Sequence, residues 1–135
     1  MLDLVGKERL ILIKQVLLWG RLFSIPIEFD CYEGDKVTKE QINSLERLIT
    51  NQNWLEKSKD SIIKYCKNDV MEDNDNHKKD NIFSYIKPEY LLVKREKENP
   101  RIALMCKYRY DLEHGLAIVF SSNGEITVGI QDIIL

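Results

Sequence analysis

The fold is decided by one C-terminal stretch, residues 102–130, which reads IALMCKYRYDLEHGLAIVFSSNGEITVGI. Its first part predicts a strand from Ile102 to Tyr110, in which every second side chain lies on the same face of the sheet. On the predicted buried face lie Ile102, Leu104, Cys106, Tyr108 and Tyr110. Two more strands are predicted at Gly115 to Phe120 and at Glu125 to Ile130. Asn123–Gly124 joins them as a hairpin, because both residues tolerate the positive φ angles of a tight turn.

The strand pattern continues upstream of this stretch. Tyr90 to Arg95 predicts a further strand that turns at Asn99–Pro100, so the last third is predicted to be an antiparallel meander of four strands. Alternation from Leu22 to Cys31 predicts another strand, and Pro26 indicates an edge position because proline cannot donate to a neighbouring strand. The apolar run from Leu10 to Leu18 fits a strand or a helix equally well.

Two helices are predicted in the middle of the chain. Thr38 and Gln41 form a capping box, in which each side chain bonds the backbone amide of the other at a helix N-terminus. Apolar residues at helical spacing follow: Ile42, Leu45, Leu48 and Ile49 in the first helix, and Ile62, Ile63 and Cys66 in the second. Asn51 to Asn53 separates the helices. The polar stretch from Asn68 to Asn81 predicts an exposed loop, and Ile82 to Ile86 a short helical turn.

Together these elements predict a single α+β domain over residues 1–135, with N-terminal strands, a central helical pair and a C-terminal antiparallel β-meander. The length of 135 residues, the hydrophobic fraction of 44% and the charged fraction of 31% are typical of one globular domain. A net charge of −2 provides no overall field that would attract nucleic acid or an anionic membrane.

The cysteines and the N-terminal run bear on the compartment. Cys31, Cys66 and Cys106 are isolated, lie in apolar or alternating segments and lack the paired spacing of metal ligands. We interpret them as small core residues of a protein in the reducing cytoplasm. Lys14 and Gln15 interrupt the N-terminal apolar run and no cleavage site follows it, so we expect neither export nor membrane insertion.

The greatest concentration of chemically useful side chains is at Asp111, Glu113 and His114, which precede Gly115 between two predicted strands. In an extended backbone Asp111 and Glu113 share one face and His114 points away, whereas a turn can bring all three together. The functional interpretation is a small acid–base or metal site at the rim of the sheet, because carboxylates and imidazoles bind several divalent metals.

The alternative interpretation of this cluster is architectural. The carboxylates then accept backbone hydrogen bonds in a turn, and Gly115 supplies a conformation closed to other residues. No second histidine stands at ligand spacing and no nucleophile is evident, so the sequence predicts no catalytic, cofactor or metal residue and favours a non-enzymatic role. A polar stretch at Asp73, Asp75 and His77 is similar to the start of a calcium loop but lacks its glycine and closing glutamate.

The segments Tyr110 to Gly115, Asn123–Gly124 and Val128–Gly129 resemble the C-terminal part of a family of small uncharacterised bacterial proteins, a domain of unknown function. That family carries a Trp-Asp-x-Glu-His-Gly signature in its C-terminal sheet, and here Tyr110 replaces the tryptophan while the other positions match. The helix opening at Thr38 to Gln41 is similar as well. The resemblance implies no assigned activity. It implies the setting of proteins encoded beside toxin systems, many of which act as immunity or accessory proteins.

These observations predict a cytoplasmic protein-interaction module with a protein as its partner, whose most specific form is an immunity or accessory protein of a toxin system. The predicted interaction surface is Tyr110, Asp111, Glu113 and His114. Two alternatives stay open: a metal-dependent or acid–base enzyme that uses Asp111, Glu113 and His114, and a purely architectural signature. No cofactor, nucleic acid or membrane is expected as a ligand, and the sequence leaves the oligomeric state open.

Overall fold

The computed structural model describes residues 11–30, 36–50, 53–72 and 83–135. The elements in chain order are β1 (Ile11–Leu18), β2 (Arg21–Phe29), α1 (Lys39–Thr50), α2 (Asn53–Glu72), β3 (Ile86–Val93), β4 (Ile102–Tyr108), β5 (Leu116–Phe120) and β6 (Ile126–Gly129). Single turns of 3₁₀ helix stand at 83–85 and at Gln131–Ile133. The predicted α+β class, with strands, then two helices, then strands, is confirmed.

All six strands belong to one mixed sheet, in the order β1-β2-β3-β4-β5-β6. The strands from β3 to β6 pair antiparallel with their neighbours, so the predicted C-terminal meander is confirmed. The parallel pairing of β2 with β3, through Ile27 opposite Leu91, was not predicted. Parallel neighbours need a long crossover, and the two helices provide it.

The N-terminal run is a strand. Its hairpin with β2 turns at Trp19 and Gly20, whose φ angles of 51° and 79° fit the two-residue turn that suits twisted strands. The alternation predicted for β2 is confirmed by the burial of Ile25, Ile27 and Phe29, whereas Cys31 lies outside the described residues.

The prediction that Pro26 marks an edge strand was wrong, because β2 lies between β1 and β3. Proline is nevertheless tolerated there, since the pairing of β2 with β3 begins only at Ile27, the next residue. Pro26 therefore has a partner strand only on the β1 side, where it lies opposite Ile13.

The capping box at the start of α1 is confirmed. The Gln41 backbone N–H donates to Thr38 Oγ1 at 3.1 Å, and the Thr38 backbone N–H donates to the Gln41 side-chain oxygen Oε1 at 3.0 Å. The predicted apolar stripe is buried at Ile42, Leu45 and Leu48, but Ile49 is 37% exposed.

In α2, Ile62 and Cys66 are buried and Ile63 is exposed. The prediction that a loop begins at Asn68 was wrong, because α2 continues to Glu72. Polarity alone does not exclude a helix, since lysine, methionine and glutamate are good helix formers. The remainder of that predicted loop, residues 73–81, lies outside the described residues, as does most of the predicted separator between the helices.

The hairpin between β5 and β6 differs in detail from the prediction. Within the Asn123–Gly124 pair, only Gly124 has a positive φ angle, which is 86°. The Ser121 N–H donates to Glu125 O, so the loop is longer than a two-residue turn, and one left-handed residue is enough to close it. Asn123 contributes through its side chain instead, accepting a hydrogen bond from the Glu125 amide at 3.0 Å.

The sheet carries apolar clusters on both faces. The larger cluster lies under the helices and includes Tyr108 and Cys106, which are 1% and 0% exposed. A smaller cluster on the other face includes Leu92, Met105 and Ile134. The interpretation of Cys66 and Cys106 as core residues is confirmed, and burial raises the pKa of the Cys106 thiol. Among the described helices, none is both long enough and apolar enough to cross a membrane.

Candidate functional site

The predicted cluster forms one tight turn between β4 and β5, which we call the corner (Asp111–Gly115). The Gly115 amide donates to Asp111 O at 2.8 Å, and the His114 amide donates to Asp111 Oδ1 at 3.2 Å. Asp111 thus caps a single helical turn through its side chain, as aspartate does at helix N-termini. Of the two backbone arrangements weighed from the sequence, the structure has the turn.

The turn brings the imidazole of His114 onto the carboxylate of Asp111. His114 Nδ1 lies 3.0 Å from Asp111 Oδ1 and 3.2 Å from Oδ2. The hydrogen bond to Asp111, supported by the charge of the same carboxylate, raises the pKa of His114 above its usual value. Both side chains are accessible to water, so the pair lies at the surface of the protein. The contact with Asp111 uses the ring nitrogen Nδ1 of His114 and not Nε2.

Gly115 is required at the end of the corner for two reasons. Its φ angle of 64° is left-handed. A Cβ at this position would stand 2.7 Å from Gln131 Nε2 and 2.9 Å from Cys106 O. The Gln131 amide occupies that space because it donates to Cys106 O at 3.0 Å, while the Gln131 backbone N–H donates to His114 O at 3.0 Å. The corner is therefore fastened to the C-terminal segment.

The remaining predicted residues point in different directions. Tyr110 packs inward, with its ring edge-on to Tyr108 at 5.7 Å and to Tyr85 at 5.5 Å between centroids. Leu112 and Glu113 are exposed, and Leu112 is 74% accessible. The outer surface of the corner thus consists of Leu112, Glu113 and His114. The hydrogen bonds that Asp111 accepts from the His114 and Gly115 backbone N–H groups hold this turn in place.

The structure places two of the predicted metal-ligand candidates together, Asp111 and His114. In the described ranges, no three His, Cys, Asp or Glu side chains come close enough together to hold a metal ion. The residues Asp73, Asp75 and His77, which are similar to a calcium loop, lie outside the described residues.

Sequence reasoning missed Gln131 and the full role of Gln41. Gln41 is completely buried, and its Nε2 donates to Asp30 O at 3.1 Å and to Val93 O at 3.3 Å, beyond the predicted cap. It ties α1 to the ends of β2 and β3. The capping box indicated the first role of Gln41, but no local signal indicates contacts with residues 52 positions away.

Trp19 was also missed. Although it occupies a hairpin turn, it is 7% exposed, stacks on Phe83 at 5.1 Å between ring centroids and donates from Nε1 to Ser58 Oγ at 3.3 Å. These contacts fasten the β1–β2 hairpin to α2 and to the segment that leads into β3.

Comparison with known families places this arrangement in context. A family model described as "Domain of unknown function (DUF6985)" matches residues 12–135, nearly the whole chain. The chain belongs to this family. The DUF6985 match begins within β1 and includes the corner, Gln41 and Gln131, so the complete six-stranded sheet lies within the matched region except for one residue of β1. No curated protein and no solved structure matches the chain significantly.

Proposed function

We propose that this DUF6985 domain is a protein-interaction module that binds its partner through the corner, and that the partner is a toxin for which it serves as an immunity or accessory protein. The observation that carries the proposal is the exposed Leu112, which the hydrogen-bonded corner presents beside the Asp111–His114 pair and the exposed Glu113. Preorganised surfaces with an apolar anchor and a polar rim favour association, since little entropy is lost on binding.

The C-terminal segment carries further exposed apolar side chains and is joined to the corner. Ile133 and Leu135 are 43% and 69% exposed, and the Gln131 backbone N–H of this segment donates to His114 O. Glu113 and His114, the neighbours of Leu112 in the corner, would select a partner by charge, which affects specificity and association rate more than affinity.

The proposal is tested with the protein encoded beside this chain in its genome as the binding partner. Leu112→Lys is expected to weaken binding by at least about tenfold, which corresponds to the loss of one central anchor. Ile63→Lys is the matched control, because Ile63 is also an exposed apolar residue but lies on α2. Calorimetric titration gives both dissociation constants.

Growth assays test the finer claim. Cells that express the neighbouring gene product as a toxin should grow when the wild-type chain or the Ile63→Lys variant is co-expressed, and should fail with Leu112→Lys. If the wild-type chain gives no protection and no binding, the immunity role is wrong. If both variants bind equally well, the corner is not the contact surface.

Acid–base chemistry is the second candidate, and the Asp111–His114 pair favours it because a carboxylate orients the imidazole. A metal-dependent form would need Glu113 as a further ligand, and it would require Glu113 to move, because the three side chains do not form a metal-binding group in the structure. Metal analysis and melting curves recorded with and without chelator test it, since a bound metal stabilises the folded chain. A melting temperature that is unchanged by chelator and by added Zn²⁺ or Mn²⁺ excludes the metal-dependent form.

A further inference from the structure

The first strand of the sheet has an open edge of unusual composition. β1 pairs with β2 over all eight of its residues, but no strand among the described residues pairs with its other side. Its sequence ILIKQVLL contains one charge and neither proline nor glycine. Native sheets usually blunt such edges with charges, proline or short strands. The opposite edge strand, β6, follows that rule with only four residues.

Apolar surface flanks this edge on both faces of the sheet. On the face away from the helices, Ile13, Leu17 and Leu22 are 66%, 47% and 63% exposed, and Leu17 lies directly opposite Leu22. On the helix face, a mainly apolar cleft opens between β1 and the end of α1. Its lining includes Val16, Ile25, Leu48 and Ile49, together with Lys14 and Gln15 of β1. An occupant that fits is therefore a strand with apolar side chains on both of its faces.

We infer that the occupant is the β1 strand of a second copy of this chain, so that two six-stranded sheets join edge to edge. β1 itself is mainly apolar on both faces, with Ile13 and Leu17 beside Gln15 on one face and Val16 and Leu18 beside Lys14 on the other. The family model matches from residue 12, so seven of the eight residues of β1 lie within the matched region. A second copy can therefore pair with this edge through residues of the matched region.

The area that a specific interface needs shows which side chains must take part. A strand of eight residues is about 26 Å long and a sheet about 10 Å thick, so two bare edges bury only about 500 Å². A specific interface starts near 1,000 Å² in total. The difference must therefore come from side chains beside the edge, among which Ile13, Leu17 and Leu22 are apolar and exposed.

The charge pattern excludes one register of this pairing. Antiparallel strands related by a twofold axis place each side chain opposite one from the same face. A register centred on Gln15 sets Ile13 opposite Leu17 of the second copy, and Lys14 opposite Val16 of the second copy. A register centred on Lys14 would oppose two ammonium groups, which is destabilising.

Sedimentation velocity of the full chain over a concentration series tests the dimer. The wild-type chain is expected to reach twice the mass of one chain as its concentration rises. Ile13→Lys combined with Leu17→Lys should weaken the dimer by at least about tenfold, because like charges then face each other at two symmetric positions. Ile13→Glu combined with Leu17→Lys places opposite charges there and should restore most of the association.

Leu112→Lys is the matched control, since Leu112 is also an exposed apolar residue but lies at the corner, and it should leave the mass unchanged. Circular dichroism establishes that each variant is folded. A wild-type chain that stays monomeric at every concentration overturns the inference, as does a dimer that both double variants weaken equally. Failure of partner binding at the corner would leave the dimer untouched, because the two surfaces are distinct.

Discussion

Two glycines with left-handed backbones differ in what surrounds them. At Gly115 a Cβ would meet Gln131 and the Cys106 carbonyl, whereas at Gly20, whose φ angle is 79°, it would meet nothing within 4 Å. Gly115→Ala should therefore cost about 2–4 kcal/mol of unfolding free energy, from backbone strain and crowding together. Gly20→Ala should cost only about 1 kcal/mol, from strain alone. Urea denaturation gives both values, and equal losses would contradict the close packing at the corner.

The Asp111–His114 pair makes part of the stability depend on pH. Because the folded-state pKa of His114 is raised by Asp111, the pair stabilises the fold at pH values below the unfolded pKa of histidine. That contribution disappears as the pH rises through the raised folded pKa. NMR titration of the His114 ring should show a midpoint above the usual value for histidine, and Asp111→Asn should lower it. A midpoint that Asp111→Asn does not move would show that the carboxylate does not bond the ring in solution.

The corner also shows what sequence can predict at the scale of residues. Asp111, His114 and Gly115 were identified because turn chemistry is local: a carboxylate caps the amide three residues ahead, and glycine takes the left-handed position. Gln131 could not be identified, because its contact with Cys106 O joins residues 25 positions apart. Nothing in the neighbouring sequence distinguishes it from an exposed amide.

Gln41 acts between elements, since it links α1 to β2 and β3. Gln41→Ala should cost about 2–4 kcal/mol, because it removes the cap, empties a buried site and leaves Asp30 O without its donor. Thr38→Ala removes the cap alone and should cost about 1 kcal/mol. Chemical denaturation measures the difference, and similar losses for the two variants would show that the contacts to the strands contribute little.

Gln41→Glu separates the two roles of Gln41. Glutamate keeps the acceptor of the capping box, but it puts a carboxylate where Nε2 faces the carbonyls of Asp30 and Val93. We expect a larger loss than for Gln41→Ala at neutral pH, since an unpaired charge is buried. The loss should shrink as the pH falls and the carboxyl becomes protonated.

Elements were predicted better than their pairing. The alternation of β2 and the capping box of α1 depend on residues close together in the sequence, and the structure confirms both. The strand predicted at β4 is confirmed as well, although nearly all of its residues are buried on both faces. The parallel contact between β2 and β3 joins strands separated by two helices, and neither strand carries a local sign of it. The same contact explains why Pro26 suggested an edge strand although β2 lies inside the sheet. The pairing with β3 begins at Ile27, one residue after Pro26, so the proline does not have to donate a hydrogen bond to β3.

At the scale of the molecule, the β2–β3 contact makes one sheet of an N-terminal hairpin and a C-terminal meander. The apolar cluster under the helices includes residues of both parts, among them Ile27 from β2 and Ile118 from β5. Gln41 and Trp19 connect the same two parts from the helix side, through Val93 and Phe83. These shared contacts argue that neither part has a core that would remain folded without the other.

The chain should consequently unfold as one cooperative unit, as small domains with a shared core do. Trp19 fluorescence, measured in a Trp54→Phe variant, reports on the N-terminal hairpin, and the amide NMR signals of β5 and β6 report on the meander. The two probes should give the same urea midpoint and the same slope, because Ile27 and Ile118 belong to one shared core. A fluorescence transition that precedes the loss of the β5 and β6 signals would show that the meander holds its own core. The parallel contact would then be a docking of two units rather than the centre of one.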